Sequence, residues 1–227
     1  MPQWDRIAEG VCLVGGPEIS RADDATVFLI DGGDALALID SGAGRSVRRI
    51  ESNIREAGYD PAQIQCLILT HNHIDHIGGA PYFRERFGCR ILVHDLDADA
   101  VETGDRVRTA ANWYGTDFPP TPPDERLTGE EGPLDIGHVR LHWIHTPGHT
   151  PGSIALYLDC GGERILFGQD IHGPFLPAFE SNLAHWRQSM EKLITLRADI
   201  PCEGHFGIFR TPSRVERYIR RHLDQNR

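Results

Sequence analysis

The spacing of hydrophobic residues changes several times along this chain, and each change marks a predicted element. In the first forty residues, the apolar runs ATVFLIDGG and DALALID meet at Gly32-Gly33-Asp34, which predicts two strands joined by a hairpin turn. Residues 44–58 then follow a helical period, with Val47, Ile50 and Ile54 on one face. The chain is therefore predicted to begin with β-structure that leads into an amphipathic helix.

The middle of the chain alternates between strands and helices. Residues 63–70 and 89–94 are predicted strands, and a short helix is predicted between them around residues 82–87. The order helix, strand, helix, strand over residues 41–94 is typical of an α/β layer arrangement. Residues 104–133 are rich in Pro, Asp, Glu and Gly without apolar periodicity, which predicts a long loop that serves as a lid or substrate-binding element.

Strands return in the last third of the chain and are followed by helices. The runs VRLHWIHT, SIALYLD and RILFG are predicted strands, and ADIPCEG is predicted to be a short one. An amphipathic helix is predicted from the spacing of Phe179, Leu183, Trp186, Met190 and Leu193. Thr211-Pro212 is predicted to cap a final helix that runs to about Leu223. Two β-rich halves, each followed by helices, predict an α/β fold of four layers in one domain over residues 1–227.

Composition and charge narrow the class of partner. The chain is 40% hydrophobic and 25% charged, as in ordinary globular proteins. Its 23 Lys and Arg against 33 Asp and Glu give a formal net charge of −10, and no dense basic patch interrupts this excess. A chain of this charge repels nucleic acid and anionic membrane surfaces. We therefore expect a small-molecule substrate, with no nucleic-acid or membrane partner, while self-association into a homo-oligomer stays open.

The start of the chain and its cysteines predict a cellular location. The first ten residues, MPQWDRIAEG, have neither a basic nor an apolar region of the kind found in secretory signals. No apolar run approaches the roughly 20 residues that a membrane helix requires. The five cysteines are scattered and form no CxxC pair, a pattern that favours reduced thiols over disulfides. We expect a cytoplasmic protein.

The segment THNHIDH carries the strongest chemical signal. Residues at i and i+2 of an extended segment point to the same side, so His71 and His73 can bind one ion together. Asp75 and His76 come after the chain has turned and can face a second ion. Three imidazoles and a carboxylate form a ligand set that suits zinc and also iron or manganese. The pattern therefore predicts a metal site.

Three further candidate ligands follow predicted strands. His149 comes after VRLHWIHT, Asp170 after RILFG, and His205 after ADIPCEG. Strand ends are the usual position for ligand-binding residues in layered α/β folds. We therefore expect these three side chains to join the histidine cluster.

The segments HNHIDH, TPGHTPGS, FGQD and EGH, in that order, resemble the metallo-beta-lactamase superfamily, whose members share an αβ/βα sandwich of two mixed β-sheets. The resemblance implies that one metal is bound by His71, His73 and His149, and a second by Asp75, His76 and His205. It also implies that Asp170 bridges the two ions. A further acidic residue of the family pattern matches Asp40, which we expect to hydrogen-bond a ligand imidazole.

The resemblance also implies a reaction. Two cations lower the pKa of a bridging water, so that a hydroxide can attack a carbonyl group that one of the ions polarises. Asp75 would be catalytic, orienting the water or accepting its proton. The likeness of GHTPGS and FGQD to glyoxalase II-like members implies a thioester or ester substrate, with two zinc ions as cofactors. A lactonase and a mononuclear-iron persulfide dioxygenase are alternatives, and a non-catalytic metal-binding module is a third.

Five residues are candidates for the wall of the cleft. His172 and Phe175 follow Asp170 directly, and Trp113, Tyr114 and Phe118 lie in the long middle segment. We expect His172, Tyr114 and Phe175 to contact the substrate.

Overall fold

Two mixed β-sheets form the centre of the fold, which the computed structural model describes for residues 4–226. The strands are β1 (Asp5–Ala8), β2 (Val11–Gly15), β3 (Val27–Asp31), β4 (Leu36–Ile39), β5 (Ile64–Ile68), β6 (Arg90–His94), β7 (Glu125–Leu127), β8 (Glu131–Ile136), β9 (Val139–His145), β10 (Ile154–Cys160), β11 (Glu163–Phe167), β12 (Ile200–Glu203) and β13 (Gly207–Ile208). The α-helices are α1 (Val47–Glu56), α2 (Ile74–Ile77), α3 (Ala80–Phe87), α4 (Asp95–Thr103), α5 (Leu183–Thr195) and α6 (Pro212–Gln225).

The two sheets have related but distinct topologies. The first has the strand order β1-β2-β3-β4-β5-β6-β7, antiparallel up to β4 and parallel from there to β7. The second has the order β13-β12-β11-β10-β9-β8, in which only β11 and β12 are parallel. Asp31 of β3 pairs with Leu36 of β4 across the predicted hairpin turn. The predicted hairpin and the two mixed sheets are confirmed.

Apolar side chains between the sheets form the central layer of the core. Phe28 of the first sheet packs against Phe167 of the second, with ring centroids 5.1 Å apart. Neighbouring positions such as Ile39 and Leu156 are fully buried in the same cluster. Burying one such side chain contributes roughly 1.5–3 kcal/mol. Because β3 and β4 are covered on both faces, their sequences are nearly continuous apolar runs rather than alternating ones.

Helices cover the outer face of each sheet. Ile50 of α1 and Phe83 of α3 belong to the cluster on the first sheet. Trp186 of α5 and Ile219 of α6 belong to the cluster on the second sheet. These outer clusters complete the four layers, so the predicted sandwich of two sheets flanked by helices is confirmed.

The prediction of one long loop over residues 104–133 is wrong at its C-terminal end. Strand β7 pairs in parallel with β6 at the edge of the first sheet, and β8 starts the second sheet at Glu131. Helix α4, just before this segment, also escaped prediction. The reason is physical: β7 has three residues and one buried side chain, and α4 is rich in Asp, so neither has a strong apolar period.

The predicted start of α5 and the predicted cap of α6 need correction. Helix α5 begins at Leu183 because the Asn182 side chain accepts hydrogen bonds from the backbone N–H groups of Ala184 and His185, at 3.0 and 3.1 Å. Phe179 lies before it, in a short 3-10 turn. Helix α6 begins at Pro212 as predicted, but the Thr211 side chain makes no capping hydrogen bond.

Two predictions include residues that lie outside the described part of the chain. These are residues 1–3, in the segment predicted to carry no secretory signal, and residue 227, at the end of the predicted domain. Within residues 4–226, no helix combines the length and the apolar composition needed to cross a bilayer. Of the five cysteines, all but the half-buried Cys160 are buried in the packed layers.

Candidate metal centre

The HNHIDH segment joins β5 to α2 at one edge of the sandwich. Strand β5 is an apolar run that ends at Ile68, after which the chain bends at residues 70–72 and is extended again at His73 (φ −76°, ψ 143°). The rings of His71 and His73 lie close together, with centroids 4.7 Å apart. Asp75 and His76 lie within the single turn of α2, so their side chains leave the backbone in another direction.

The other candidate ligands come from loops that follow strands of the second sheet. His149 follows β9, Asp170 follows β11, and His205 follows β12, as the sequence predicts. Gly204 lets the last loop approach closely, since a Cβ there would lie 2.5 Å from Asp170 Oδ1. A backbone hydrogen bond from Ile154 N to Thr70 O fastens the second sheet to the HNHIDH segment. The tertiary structure thus gathers all seven predicted ligands.

Four of these side chains form what we call the first group: His71, His73, His149 and Asp170. Within it, Nδ1 of His73 lies 2.9 Å from Nε2 of His149. Asp170 Oδ2 lies 3.3 Å from His149 Nε2 and 3.9 Å from His71 Nε2. The nitrogen and oxygen atoms therefore converge on one point.

Asp75, His76 and His205 form the second group. His205 Nε2 lies 3.2 Å from Asp75 Oδ2, and His76 Nε2 lies 3.8 Å from the same oxygen. The other oxygen of Asp170, Oδ1, faces this group at 3.2 Å from His76 Nε2 and 3.3 Å from His205 Nε2. Each oxygen of the Asp170 carboxylate thus faces a different group.

Unsatisfied polar atoms concentrate between the two groups. His71 Nε2, His73 Nε2, His76 Nε2 and Asp170 Oδ1 are buried and lack a hydrogen-bond partner among the described residues. Buried polar atoms without partners cost about 1–3 kcal/mol each and are rare in native proteins. Since all four are good ligand atoms for a divalent cation, the residues fit the metals that the resemblance implies.

Electrostatics favour a cation at the same place. Burial lowers the pKa of His71 and His73 well below the usual range, which keeps both rings in the neutral form that binds metals. Burial would also lower the pKa of His76, but the carboxylates of Asp170 and Asp40 raise it well above its usual value. In the protein without cations, positive charge on imidazole thus balances the buried carboxylates.

Asp40 forms a buried hydrogen bond with the ring of His76. Both side chains are fully buried, and Asp40 Oδ2 lies 2.7 Å from His76 Nδ1. The same carboxylate accepts hydrogen bonds from Thr70 N at 2.8 Å and Thr70 Oγ1 at 2.7 Å. The expected hydrogen bond from Asp40 to a candidate ligand imidazole is therefore present. Asp40 and Asp170 also share a backbone feature, positive φ angles of 60° and 42°, which non-glycine residues seldom adopt.

A cavity of about 320 Å³ opens directly onto the two groups. Tyr114 and His172 line it, as expected, and Trp113 stands at its rim. Burial and the neighbouring Asp75 carboxylate raise the pKa of Tyr114, which therefore keeps its proton. His172 is held by a buried carboxylate, with its Nδ1 2.8 Å from Glu203 Oε1.

Two expected wall residues do not line the cavity. Phe175 packs on Trp186, with ring centroids 4.9 Å apart, and its ring also lies 6.4 Å from that of His149. Phe118 is only 2% exposed and belongs to the core of the first sheet. The expectation of a cleft position is therefore wrong for Phe118, whereas substrate contact by Phe175 stays a prediction. The structure instead places Phe179 in the wall.

Asp97 of α4 braces the first group, a role that the sequence did not indicate. Its side chain is fully buried, and its Oδ2 accepts hydrogen bonds from Asn72 N (3.1 Å) and Thr150 Oγ1 (2.6 Å). Its Oδ1 accepts another from Gly152 N at 2.8 Å. Asn72 lies between two candidate ligands and Thr150 follows a third. One carboxylate therefore ties together loops that are far apart in sequence.

Replacing Asp97 tests this brace. We expect Asp97→Ala to lower the free energy of unfolding by about 3 kcal/mol, because three buried donors lose their acceptor. We also expect metal affinity to fall by about tenfold or more, as when supporting residues of metal ligands are removed. Denaturant unfolding and competition with a chelator measure the two effects. Asp99→Ala is the matched control, since Asp99 lies on the same helix but is exposed and paired with Arg126. Equal behaviour of the two variants would contradict the brace.

Comparison with known proteins identifies the family. The model of the metallo-beta-lactamase superfamily matches residues 21–205. The probable metallo-hydrolase YflN of Bacillus subtilis is 28% identical over 211 residues, covering 75% of each chain. The acyl-coenzyme A thioesterase MBLAC2 of Gallus gallus is 29% identical over 213 residues, covering 82% of this chain and 73% of the relative.

A solved structure agrees at the level of the fold. The native FEZ-1 metallo-beta-lactamase from Legionella gormanii is similar with a TM-score of 0.83 at 21% identity, covering 98% of this chain and 93% of that chain. At this identity the likeness establishes a shared architecture only. Together with the family match over residues 21–205, it means that this chain belongs to the metallo-beta-lactamase superfamily.

Proposed function

We propose that this protein is a hydrolase that binds two divalent cations, expected to be zinc, and cleaves a small thioester or ester. The observation that most directly supports two cations is the orientation of Asp170, whose Oδ2 faces the first group and whose Oδ1 faces the second. One cation would be held by His71, His73 and His149, and the other by Asp75, His76 and His205. Asp170 would contact both.

The cations, when bound, lower the pKa of a water molecule and polarise the carbonyl group of the substrate. The protein's own residues supply the remaining functions. Asp75 stays ionised, because the His76 and His205 rings lower its pKa although burial opposes this, and it can orient the attacking water. Hydrolysis adds this water to the acyl carbon and breaks the acyl–sulfur or acyl–oxygen bond. The products are a carboxylic acid and a thiol or alcohol.

Two further observations support a small acyl substrate. A cavity of about 320 Å³ has the size of a small-molecule site. The Tyr114 hydroxyl in its wall donates a hydrogen bond to Asp75, and its oxygen can accept a hydrogen bond from a substrate. The relative named an acyl-coenzyme A thioesterase supports a thioester substrate, and the relative named a probable metallo-hydrolase supports metal-dependent hydrolysis.

Metal analysis together with a substrate panel tests the proposal. We expect about two zinc ions per purified chain and hydrolysis of a thioester or an ester, measured beside a lactone and a persulfide. Treatment with a chelator should abolish hydrolysis, and added zinc should restore it. One iron per chain with oxygen uptake on glutathione persulfide would overturn the proposal in favour of a dioxygenase. Metal without turnover of any of these substrates would favour a binding module.

His172 is proposed to bind the substrate. Its Nδ1 is anchored to Glu203, a buried carboxylate that also accepts hydrogen bonds from His205 N (2.7 Å) and Phe206 N (2.9 Å). This anchoring fixes the ring at the cavity wall, where a ring nitrogen of His172 lies within 4.8 Å of ligand atoms of Asp170 and His205. His172 is therefore placed to hold the substrate against the metal centre.

We expect His172→Ala to lower kcat/KM by about 10- to 100-fold, because a positioned polar contact to the substrate is lost. The metal content should remain unchanged. His142→Ala serves as a control, because His142 stacks on Tyr157 away from this cavity. Mass spectrometry of bound metal and steady-state kinetics give both readouts. If metal and activity fall together, His172 acts as a ligand and the substrate-binding role is wrong.

A further inference from the structure

The cavity has a polar floor next to the metal centre and a wall that is mostly apolar. Candidate metal ligands form the floor, and His172 is the remaining polar contact besides the Tyr114 hydroxyl. The rest of the lining consists of Ala110, Trp113, Tyr114, Pro174, Phe179 and Phe206. No Lys or Arg lines this cavity within residues 4–226.

Aromatic side chains continue this apolar wall out to the solvent. Trp113 is 57% exposed and Phe206 is 59% exposed, which is unusual for side chains of this size. The Trp113 ring lies 5.0 Å from the ring of Phe179, which lies 4.2 Å from that of His73. We call Trp113, Phe179 and Phe206 the aromatic mouth. Trp113 and Phe179 provide a continuous apolar path from the surface to the first group, and Phe206 lies beside His172, with ring centroids 4.7 Å apart.

The arginines next to this wall do not offer a free positive charge. Arg45 donates a hydrogen bond to the backbone oxygen of Tyr114 at 2.9 Å, and its other nitrogen lies 3.4 Å from Asp23 Oδ2. Arg108 Nε lies 2.8 Å from Glu180 Oε2. With a net charge of −10 on the whole chain, a polyanionic group at the mouth would meet repulsion.

We propose that the substrate is an uncharged acyl thioester or ester whose apolar acyl chain of several carbons lies against the aromatic mouth. This inference rests on the proposed hydrolytic function and specifies its substrate class. Burying the chain against aromatic rings supplies binding energy in proportion to its length. An anionic carrier such as coenzyme A gains no partner in the wall. Water cleaves the acyl–sulfur or acyl–oxygen bond, releasing a fatty acid and an uncharged thiol or alcohol.

Matched thioesters separate chain length from carrier charge. We expect kcat/KM for octanoyl-N-acetylcysteamine to exceed that for acetyl-N-acetylcysteamine by about tenfold or more, since each buried methylene improves binding. It should exceed the value for octanoyl-coenzyme A by a similar factor. Equal values for the two chain lengths, or a preference for the coenzyme A thioester, would overturn the inference while leaving the hydrolytic function intact.

Two variants test whether the aromatic mouth causes the preference for the longer acyl chain. Trp113→Ala and Phe206→Ala should each lower kcat/KM for octanoyl-N-acetylcysteamine more than for the acetyl thioester, so that the ratio of the two values falls by about tenfold. Leu96→Ala is the matched control, because Leu96 is 50% exposed but lines a different cleft. If kcat/KM falls by the same factor for both chain lengths, the aromatic residues do not bind the acyl chain.

A binding measurement remains informative even if no thioester is hydrolysed. The probe is 2-decanone, an uncharged ketone that cannot be hydrolysed. Of the four tryptophans, Trp143 and Trp186 are 4% and 1% exposed, and Trp4 packs on the outer core of the first sheet rather than lining the cavity. A shift of tryptophan emission on adding the ketone should therefore come from the exposed Trp113. We expect a blue shift in the wild-type protein that Trp113→Phe loses. Ketone binding without hydrolysis of any thioester would reject only the proposed function. Absence of the shift would overturn the inference that an apolar chain binds at the aromatic mouth.

Discussion

Asp170→Asn is expected to leave the protein folded but unable to hold two cations, with a loss of hydrolytic turnover of about 10³-fold or more. The reason is that Asp170, alone among residues 4–226, has a carboxylate that faces both groups, at 3.3 Å from His149 Nε2 and 3.3 Å from His205 Nε2. An amide keeps the size of the carboxylate but loses its charge and one of its two acceptor atoms. Asparagine also tolerates the positive φ of this position.

Metal content and turnover should be measured on the same Asp170→Asn sample. We expect fewer than two metal ions per chain, with the remaining ion weakly bound. Asp159→Asn is a suitable control, since Asp159 pairs with Arg164 on the surface and should tolerate the change. If Asp170→Asn retains two tightly bound ions and full turnover, the residue is a loop residue and the proposed bridge is wrong.

The second large effect is expected from Asp40→Asn. This change removes the negative charge beneath His76 and replaces one acceptor with an amide that faces the His76 and Thr70 donors. Supporting residues of this kind typically alter metal affinity by about 10- to 100-fold. The unpaired buried donors should also lower the free energy of unfolding by about 1–3 kcal/mol. Chelator competition and denaturant unfolding measure the two quantities.

Asp24→Asn separates the metal effect from general destabilisation. Asp24 is also fully buried and accepts hydrogen bonds from Ser20, Ser46 and the backbone N–H of Ala43, but no candidate ligand contacts it. We expect this variant to lose stability while keeping its metal affinity. If both variants lose metal affinity by the same factor, Asp40 acts only through folding, and its proposed role beneath His76 fails.

Most of the fold was readable from the sequence because its strongest elements have strong local patterns. Strands β3, β4 and β5 are apolar runs with clear turn signals, and α1 has an apolar face at helical spacing. Elements with weak patterns escaped prediction. Strand β7 is held by pairing with β6 rather than by burial of its own side chains, and α4 is predominantly acidic. Their partners lie far away in sequence, so no local signal predicts them.

The candidate site was also predictable only in part. The identity and order of the seven ligands followed from spacing, strand ends and family resemblance, and the resemblance alone supplied their division between two ions. The cavity wall could not be predicted in this way. Phe118, Phe175 and Phe179 are equally aromatic, yet Phe118 is buried in the core of the first sheet, Phe175 packs on the outer core of the second, and Phe179 lines the cavity. Which face of a loop is buried depends on what packs against it.

The sequence by itself determined the four-layer α/β class, the membership suggested by HNHIDH and its companion segments, and the residues that can hold cations. These features are local, since periodicity and motif spacing act over a few residues. Only the tertiary structure decided that Asp170 turns one oxygen to each group, that Asp97 ties two ligand loops together, and that aromatic residues frame the mouth. Such contacts join residues from different strands and loops, and their geometry is fixed only when the two sheets pack.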